Sequence, residues 1–268
     1  MAEIFSFSWL GNQNPYLDQP VISNCGSVVI GCFGGASSSG GTKNEDGALV
    51  WVEESGEWEF SMILDAHKSA DSASLMLRTI TIEKKAIRSC LSMPIGEAFP
   101  ELQQFLISRF MSPAFRTRCR FTEGEASCLI TARKDRFLWW LSIGDCQVFL
   151  FHPELARLGQ FSLNQRNYYE WIGAANTFDL PVACYSSGVR ELRGGRNQIV
   201  LVTDGVTESG DSHYSRTENL YQEYLDNNRK TEGFVQSVLA RVQAEQGKDS
   251  ATMIAWTYFN SVGGLRST

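Results

Sequence analysis

Acidic residues sit at the ends of apolar, strand-like runs, and this placement constrains the fold more than any other feature of the chain. Four acidic stations span more than two hundred residues: Asn44-Glu45-Asp46, Asp65-Ala66-His67, Asp204-Gly205 and Lys248-Asp249-Ser250. Phe60-Ser61-Met62-Ile63-Leu64 runs into Asp65, Ile199-Val200-Leu201-Val202-Thr203 runs into Asp204, and an apolar run over 251–256 begins just after Asp249. Strand ends project side chains to one edge of a sheet, so carboxylates distant in sequence meet there. Clustered ionised carboxylates repel one another strongly at low dielectric. Hard divalent cations with oxygen ligands relieve that repulsion. The stations therefore predict a two-metal hydrolytic site.

Hydrophobic periodicity supplies the scaffold for these stations. Residues 27–33, 47–52, 58–64, 126–132, 137–143, 147–151, 198–203 and 251–259 read as strands, with a hairpin turn at Glu54-Ser55-Gly56-Glu57. Helical spacing runs over 69–91, with Ala73, Met76, Leu77, Ile80, Ile87 and Leu91 on one face, and ends at Pro94 and Gly96. A second helix fits 97–111, a third 216–227 and a fourth 232–244, the last with Thr231 as its N-cap. Residues 1–26 carry Phe5, Phe7, Trp9 and Tyr16 and either wrap a surface or supply an edge strand; 152–197 reads as irregular. Helices inserted between hairpins, rather than alternating with single strands, imply an α+β fold of two mostly antiparallel sheets with helices outside. The expectation is one domain across 1–268.

Composition narrows the function classes. The chain is 43% hydrophobic and 20% charged, ordinary for a globular protein. No apolar stretch approaches the ~20 residues needed to cross a bilayer. The start, Met1-Ala2-Glu3-Ile4-Phe5, has no signal-peptide pattern, so a cytoplasmic protein with no membrane partner is expected. A net charge of −6 with no long basic run argues against a nucleic-acid partner. Seven scattered cysteines without a Cys-x-x-Cys pair read as small buried apolar residues, not as a zinc site.

The stations, in order, resemble the metal-dependent protein phosphatases of type 2C. That family reads Glu-Asp, Asp-Gly-His-Gly, Gly-Asp-Ser, Asp-Gly and Asp-Asn; this chain reads Glu45-Asp46, Asp65-Ala66-His67-Lys68, Gly144-Asp145-Cys146, Asp204-Gly205 and Asp249-Ser250 over roughly residues 24–260. The resemblance implies a four-layer sandwich, two sheets flanked by helix pairs with metals at one end. It implies a serine/threonine phosphatase using two or three Mn2+ or Mg2+ ions on a phosphorylated protein, with a cognate serine/threonine kinase in the same pathway. The alternatives are a catalytically weak phosphoprotein-binding module and a hydrolase of another phosphate ester.

Carried over position by position, the resemblance makes Asp65 the residue that bridges two ions. Asp204 and Asp249 hold one ion, Glu45 or Asp46 the other, and Ala66 lends its main-chain carbonyl. His67 is the implied general acid, a role suited to the imidazole pKa range. An isolated Asp-Gly is usually only a turn; the ordered set of matches favours ligation here. Asp145 reads as a turn residue and Cys146 as a buried thiol. Bacterial members grip the phosphate with an arginine shortly before Glu-Asp, and no arginine stands there. Lys43 substitutes as a point charge, or Arg166, Arg190, Arg193 or Arg196 reaches in from 152–197, a segment in the place of the family's flap. Tyr168, Tyr169 and Trp171 offer a contact surface on it.

Overall fold

Alternation along the strands decides which side chains meet between the sheets. The computed structural model describes residues 3–261. One sheet has the order β1 (Ile4–Leu10), β4 (Gly47–Glu53), β5 (Trp58–His67), β6 (Glu125–Lys134), β7 (Phe137–Ile143) and β10 (Ser186–Glu191), with β9 (Ile172–Gly173) also paired to β6. The second has the order β2 (Val21–Cys25), β3 (Val28–Phe33), β12 (Ala251–Asn260), β11 (Gly195–Val202) and β8 (Gln147–Phe151). Every pairing is antiparallel.

Three apolar layers hold this arrangement. Trp58, Phe60, Met62 and Leu64 of β5 face outward onto α1 (Asp71–Ile82), α2 (Lys84–Leu91), α3 (Ile95–Phe110) and α4 (Pro113–Cys119). Ala48 and Val50 of β4, Ile63 of β5, Ile199 and Leu201 of β11, and Ile254 and Trp256 of β12 fill the space between the sheets. Val200 and Val202 of β11 and Met253 of β12 face α7 (Thr217–Asp226) and α8 (Thr231–Ala244), where Phe234, Val235, Val238, Leu239 and Val242 make the stripe read from the sequence. Each fully buried large side chain contributes about 1.5–3 kcal/mol. The outer layers are therefore helical and the inner two are sheets, as the sequence predicts. Two short helices, α5 (Pro153–Ala156) and α6 (Asp204–Thr207), complete the set among the described residues, and none of the helices is long and apolar enough to cross a membrane.

Several expectations need correction. The helix over 69–91 breaks at Glu83 (φ −85, ψ 6), after Thr79-Ile80-Thr81-Ile82, a β-branched run that is stiff in a helix. Helix α4 was not anticipated, although Ser112 caps it by accepting from the Phe115 N–H at 3.3 Å and Pro113 occupies its first turn. Thr231 begins α8 rather than capping it: Lys230 is the N-cap, and the Thr231 hydroxyl donates to Gln198 Oε1 at 3.0 Å. Residues 1–26 supply an edge strand to each sheet, β1 and β2, and the 152–197 segment contributes β9 and the edge strand β10. Strand β5 does not stop before Asp65 but continues through His67, with Asp65 opposite Ser127 and His67 opposite Glu125 on β6.

That continuation gives β5 an inner face reading Glu59, Ser61, Ile63 and Asp65. At the Glu59 end the charge is paired. Arg133 of β6, 2% exposed, donates to both Glu59 oxygens at 2.5 and 2.6 Å and lies 4.6 Å from the Tyr258 ring on β12 of the other sheet. Removing one member leaves the other charge buried alone. Arg133→Met is expected to lose about 3–5 kcal/mol in urea denaturation, and the double variant Arg133→Met/Glu59→Leu to regain most of it.

Candidate active site

The opposite end of the inner face, roughly 20 Å away at about 3.3 Å per strand residue, holds carboxyls without such a partner. Parity on β4 turns Asp46 inward with Ala48 and Val50, and parity on β12 turns Ser250 and Thr252 inward with Ile254 and Trp256. Thr203, next after β11, follows Ile199 and Leu201 on the same parity. Asp46 is fully buried; its Oδ1 accepts from the Ser250 hydroxyl at 2.8 Å, and its Oδ2 from Thr252 at 2.6 Å and Thr203 at 3.3 Å. One carboxyl of the first sheet is thereby tied to three hydroxyls of the second. These hydroxyl residues were missed in the sequence: the parity of their apolar neighbours turns them inward, but only the pairing of β11 with β12 sets them together against Asp46.

Asp65 is 5% exposed, and its carboxyl lies within hydrogen-bonding reach of the Asp204 carboxyl. Its Oδ2 is buried without a hydrogen-bond partner. Asp204 opens α6, where Gly205 is required by close approach: an added Cβ would stand 1.8 Å from the Ser250 carbonyl oxygen. Asp249 is exposed and turns its Oδ1 onto the Ser250 N–H at 2.9 Å. Glu45, just before β4, pairs with Lys43 Nζ at 2.7 Å. Lys43 also donates to the Lys68 carbonyl at 3.0 Å. Lys68 adopts φ +76, a left-handed conformation that glycine takes at no steric cost and a lysine does not.

His67 Nδ1 lies 4.0 Å from Asp65 Oδ1, and the Trp171 ring packs edge-on to the imidazole at 5.2 Å. Ala66 keeps an ordinary strand backbone opposite Ala126. Asp145 accepts from the Ser127 hydroxyl at 2.5 Å and also faces Arg166, so it does more than hold a turn. Cys146 is fully buried, and burial followed by the nearby Asp65, Asp145, Asp46 and Asp204 carboxyls raises its thiol well above the ordinary range, which excludes a thiolate nucleophile. Of the four arginines considered, Arg166 reaches the carboxyls; Arg193 meets Glu154 at 3.9 Å and Arg196 donates to the Arg229 carbonyl at 2.5 Å.

Electrostatics match the geometry. Burial, then the Asp46 and Asp204 charges, push the Asp65 carboxyl well above the usual carboxylate range. Burial also raises Asp204, with Asp145, Asp249 and Glu208 adding to the effect. Asp46 is pushed up to about 7 by burial, against the pull of the Thr252 and Ser250 hydroxyls. Among the described residues no group of three or more His, Cys, Asp and Glu side chains forms a ready-made metal cage. The donors nevertheless fit a hard divalent cation: all are oxygens, one is buried and unpartnered, and the Asp65 and Asp204 carboxyls are neighbours whose charges oppose each other.

No protein-family description and no curated protein matches the chain. Solved structures do match. A bacterial serine phosphatase superposes with a TM-score of 0.64 at 12% identity, covering 88% of this chain and 99% of its own. The Staphylococcus aureus serine/threonine phosphatase Stp1 gives 0.60 at 11% identity, covering 96% and 95% respectively. The Mycobacterium tuberculosis serine/threonine phosphatase PstP/Ppp gives 0.60 at 12% identity, covering 90% and 100%. The chain has the fold of the bacterial serine/threonine phosphatases, in line with the sequence resemblance.

The Asp46 environment has a pH signature. In the unfolded chain Asp46 titrates near 3.8 and in the fold at about 7, so between these values the folded state holds a proton that the unfolded chain has lost. This contribution to stability is complete below pH 3.8 and is lost as pH rises to about 7, at about 1.4 kcal/mol per unit. In chelator-treated protein, Asp46→Asn is expected to make the fall of the urea-denaturation free energy between pH 4 and 7 shallower, leaving the part due to the raised Asp65 and Asp204 carboxyls.

Proposed function

We propose that the protein is a Mn2+- or Mg2+-dependent phosphatase hydrolysing phosphoserine and phosphothreonine in proteins. One observation carries the reading: the buried, unpartnered Asp65 Oδ2 beside the Asp204 carboxyl. A fold shared with serine/threonine phosphatases supports it. In this reading Asp65, Asp204, Asp249 and Glu45 would hold the ions, and the Ala66 carbonyl would add a neutral oxygen. Asp46 has its oxygens engaged by Ser250, Thr252 and Thr203, so it stands behind the ligands and fixes the two sheets' separation. When bound, the ions neutralise phosphate charge and supply a water acidic enough to attack phosphorus near neutral pH.

The chain's own groups do the rest. His67, 41% exposed at its side chain, is open to substrate and passes a proton to the departing serine or threonine oxygen. Trp171 fixes the imidazole ring from the 152–197 segment, which acts as a flap on a single domain. Lys43 meets the substrate phosphate as a point charge. The substrate is a phosphorylated protein, made by a serine/threonine kinase of the same pathway.

A second reading, a phosphoprotein-binding module without turnover, is favoured by one feature: Lys43 is already engaged by Glu45 and by the Lys68 carbonyl. Turnover separates the two. With Mn2+, hydrolysis of a phosphothreonine peptide and of p-nitrophenyl phosphate is expected, lost with chelator and in Asp204→Asn. His67→Gln is expected to lower peptide turnover about 100-fold or more, and turnover of p-nitrophenyl phosphate much less, because nitrophenolate leaves unprotonated. A folded protein that binds phosphopeptide but turns over neither substrate establishes the second reading.

A further inference from the structure

Arg166 is fastened into the acidic end of the sandwich by the residues on either side of it. Asn164, 6% exposed, donates to the Ser142 hydroxyl at 2.9 Å and the Cys146 carbonyl at 2.8 Å, and accepts from the Val148 N–H at 2.9 Å. The Asn167 N–H donates to the Gly144 carbonyl at 3.1 Å. Both anchors hold the segment on the turn between β7 and β8, the turn that carries Asp145. The turn is itself fixed: Gly144 has φ +91, and a Cβ there would meet the Ser127 hydroxyl at 2.2 Å.

The guanidinium so placed touches three carboxylates from separate parts of the chain. Its Nη1 meets Glu208 Oε1 at 2.6 Å; its Nη2 lies 3.6 Å from Asp145 Oδ2 and 3.8 Å from Asp204 Oδ2. The Tyr168 ring lies 5.2 Å from it. Nε and Nη2 are buried and make no hydrogen bond. An arginine positioned for recognition ordinarily offers its fork to one carboxylate in two parallel bonds. Arg166 instead stands in the gap between Asp145 and Asp204, where its positive charge matters more than its donors. Asp145 Oδ1 is taken by Ser127, which leaves Oδ2 directed at this gap.

We propose that Arg166 is a resident counter-cation that occupies a divalent-ion position between Asp145, Asp204 and Glu208, so that the site binds one ion fewer than its carboxylates allow. The inference deepens the metal-centre reading, because Asp204 is shared by both positions. Without the guanidinium, three hard oxygen donors face one another with no compensating charge, the donor set a divalent ion takes. The segment that carries Arg166 also brings Trp171 onto His67.

The test counts bound Mn2+ by isothermal titration calorimetry in wild type, Arg166→Ala, Arg166→Lys and Arg166→Ala/Asp145→Asn, with near-ultraviolet circular dichroism as the check of fold. Arg166→Ala is expected to bind one Mn2+ more than wild type, Arg166→Lys the same number as wild type, and the double variant to lose the extra ion. Equal counts in wild type and Arg166→Ala overturn the proposal, as does an extra ion that survives Asp145→Asn. If Arg166→Ala fails to fold, Arg166→Gln takes its place in the same comparison. A wild type that binds no Mn2+ defeats the metal-centre reading, whereas the difference of one ion between variant and wild type still decides the role of Arg166.

Discussion

The structure turns on the crowding of carboxyls at one end of the space between two sheets. Two unit charges roughly 4 Å apart at an effective dielectric of about 20 repel by about 4 kcal/mol. A domain is stable by only about 5–15 kcal/mol in total. Asp46, Asp65 and Asp204 cannot all be ionised there without a counter-charge, and burial together with their mutual repulsion raises all three carboxyls. The other end of the same sandwich resolves its charge internally, with Arg133 and Glu59 joined by two hydrogen bonds. The contrast between the ends is what marks the acidic one as a place for cations.

Much of this was legible in the chain because strand alternation is strict. The order of stations and the apolar runs beside them gave two antiparallel sheets under helices and brought Asp46, Asp65 and Asp204 together. Features carried by tertiary contact were not legible. The hydroxyls around Asp46 come from Ser250 and Thr252 at the start of β12 and from Thr203 after β11, 157 to 206 residues away in sequence, and only the pairing of β11 with β12 brings them into one place. Nothing local distinguishes Arg166 from Arg190, Arg193 and Arg196; the anchors at Asn164 and Asn167 do. The strand β10 likewise depends on its pairing with β7, not on local spacing.

The departures from the resembled family's wording form a set with physical consequences. Ser250 stands where that wording has asparagine, and its hydroxyl is one of the three donors to Asp46. Cys146 stands in place of serine and is sealed in the core. Lys68 takes a backbone conformation suited to the glycine it replaces, and its carbonyl receives Lys43. The cationic side chains nearest the acids are thus Lys43 on Glu45 and Arg166 among Asp145, Asp204 and Glu208. The fold is shared with bacterial serine/threonine phosphatases at 10–13% identity.

The most direct measurement is the thermal unfolding of chelator-treated wild type and Asp65→Asn at pH 8, each with and without Mn2+. If the buried carboxyls oppose one another until a cation joins them, the metal-free variant unfolds at or above the wild-type temperature. Mn2+ at about a hundredfold its dissociation constant then stabilises the wild type by about 2.7 kcal/mol and leaves the variant unmoved. A metal-free variant that unfolds well below wild type, with both proteins responding alike to Mn2+, would contradict the account.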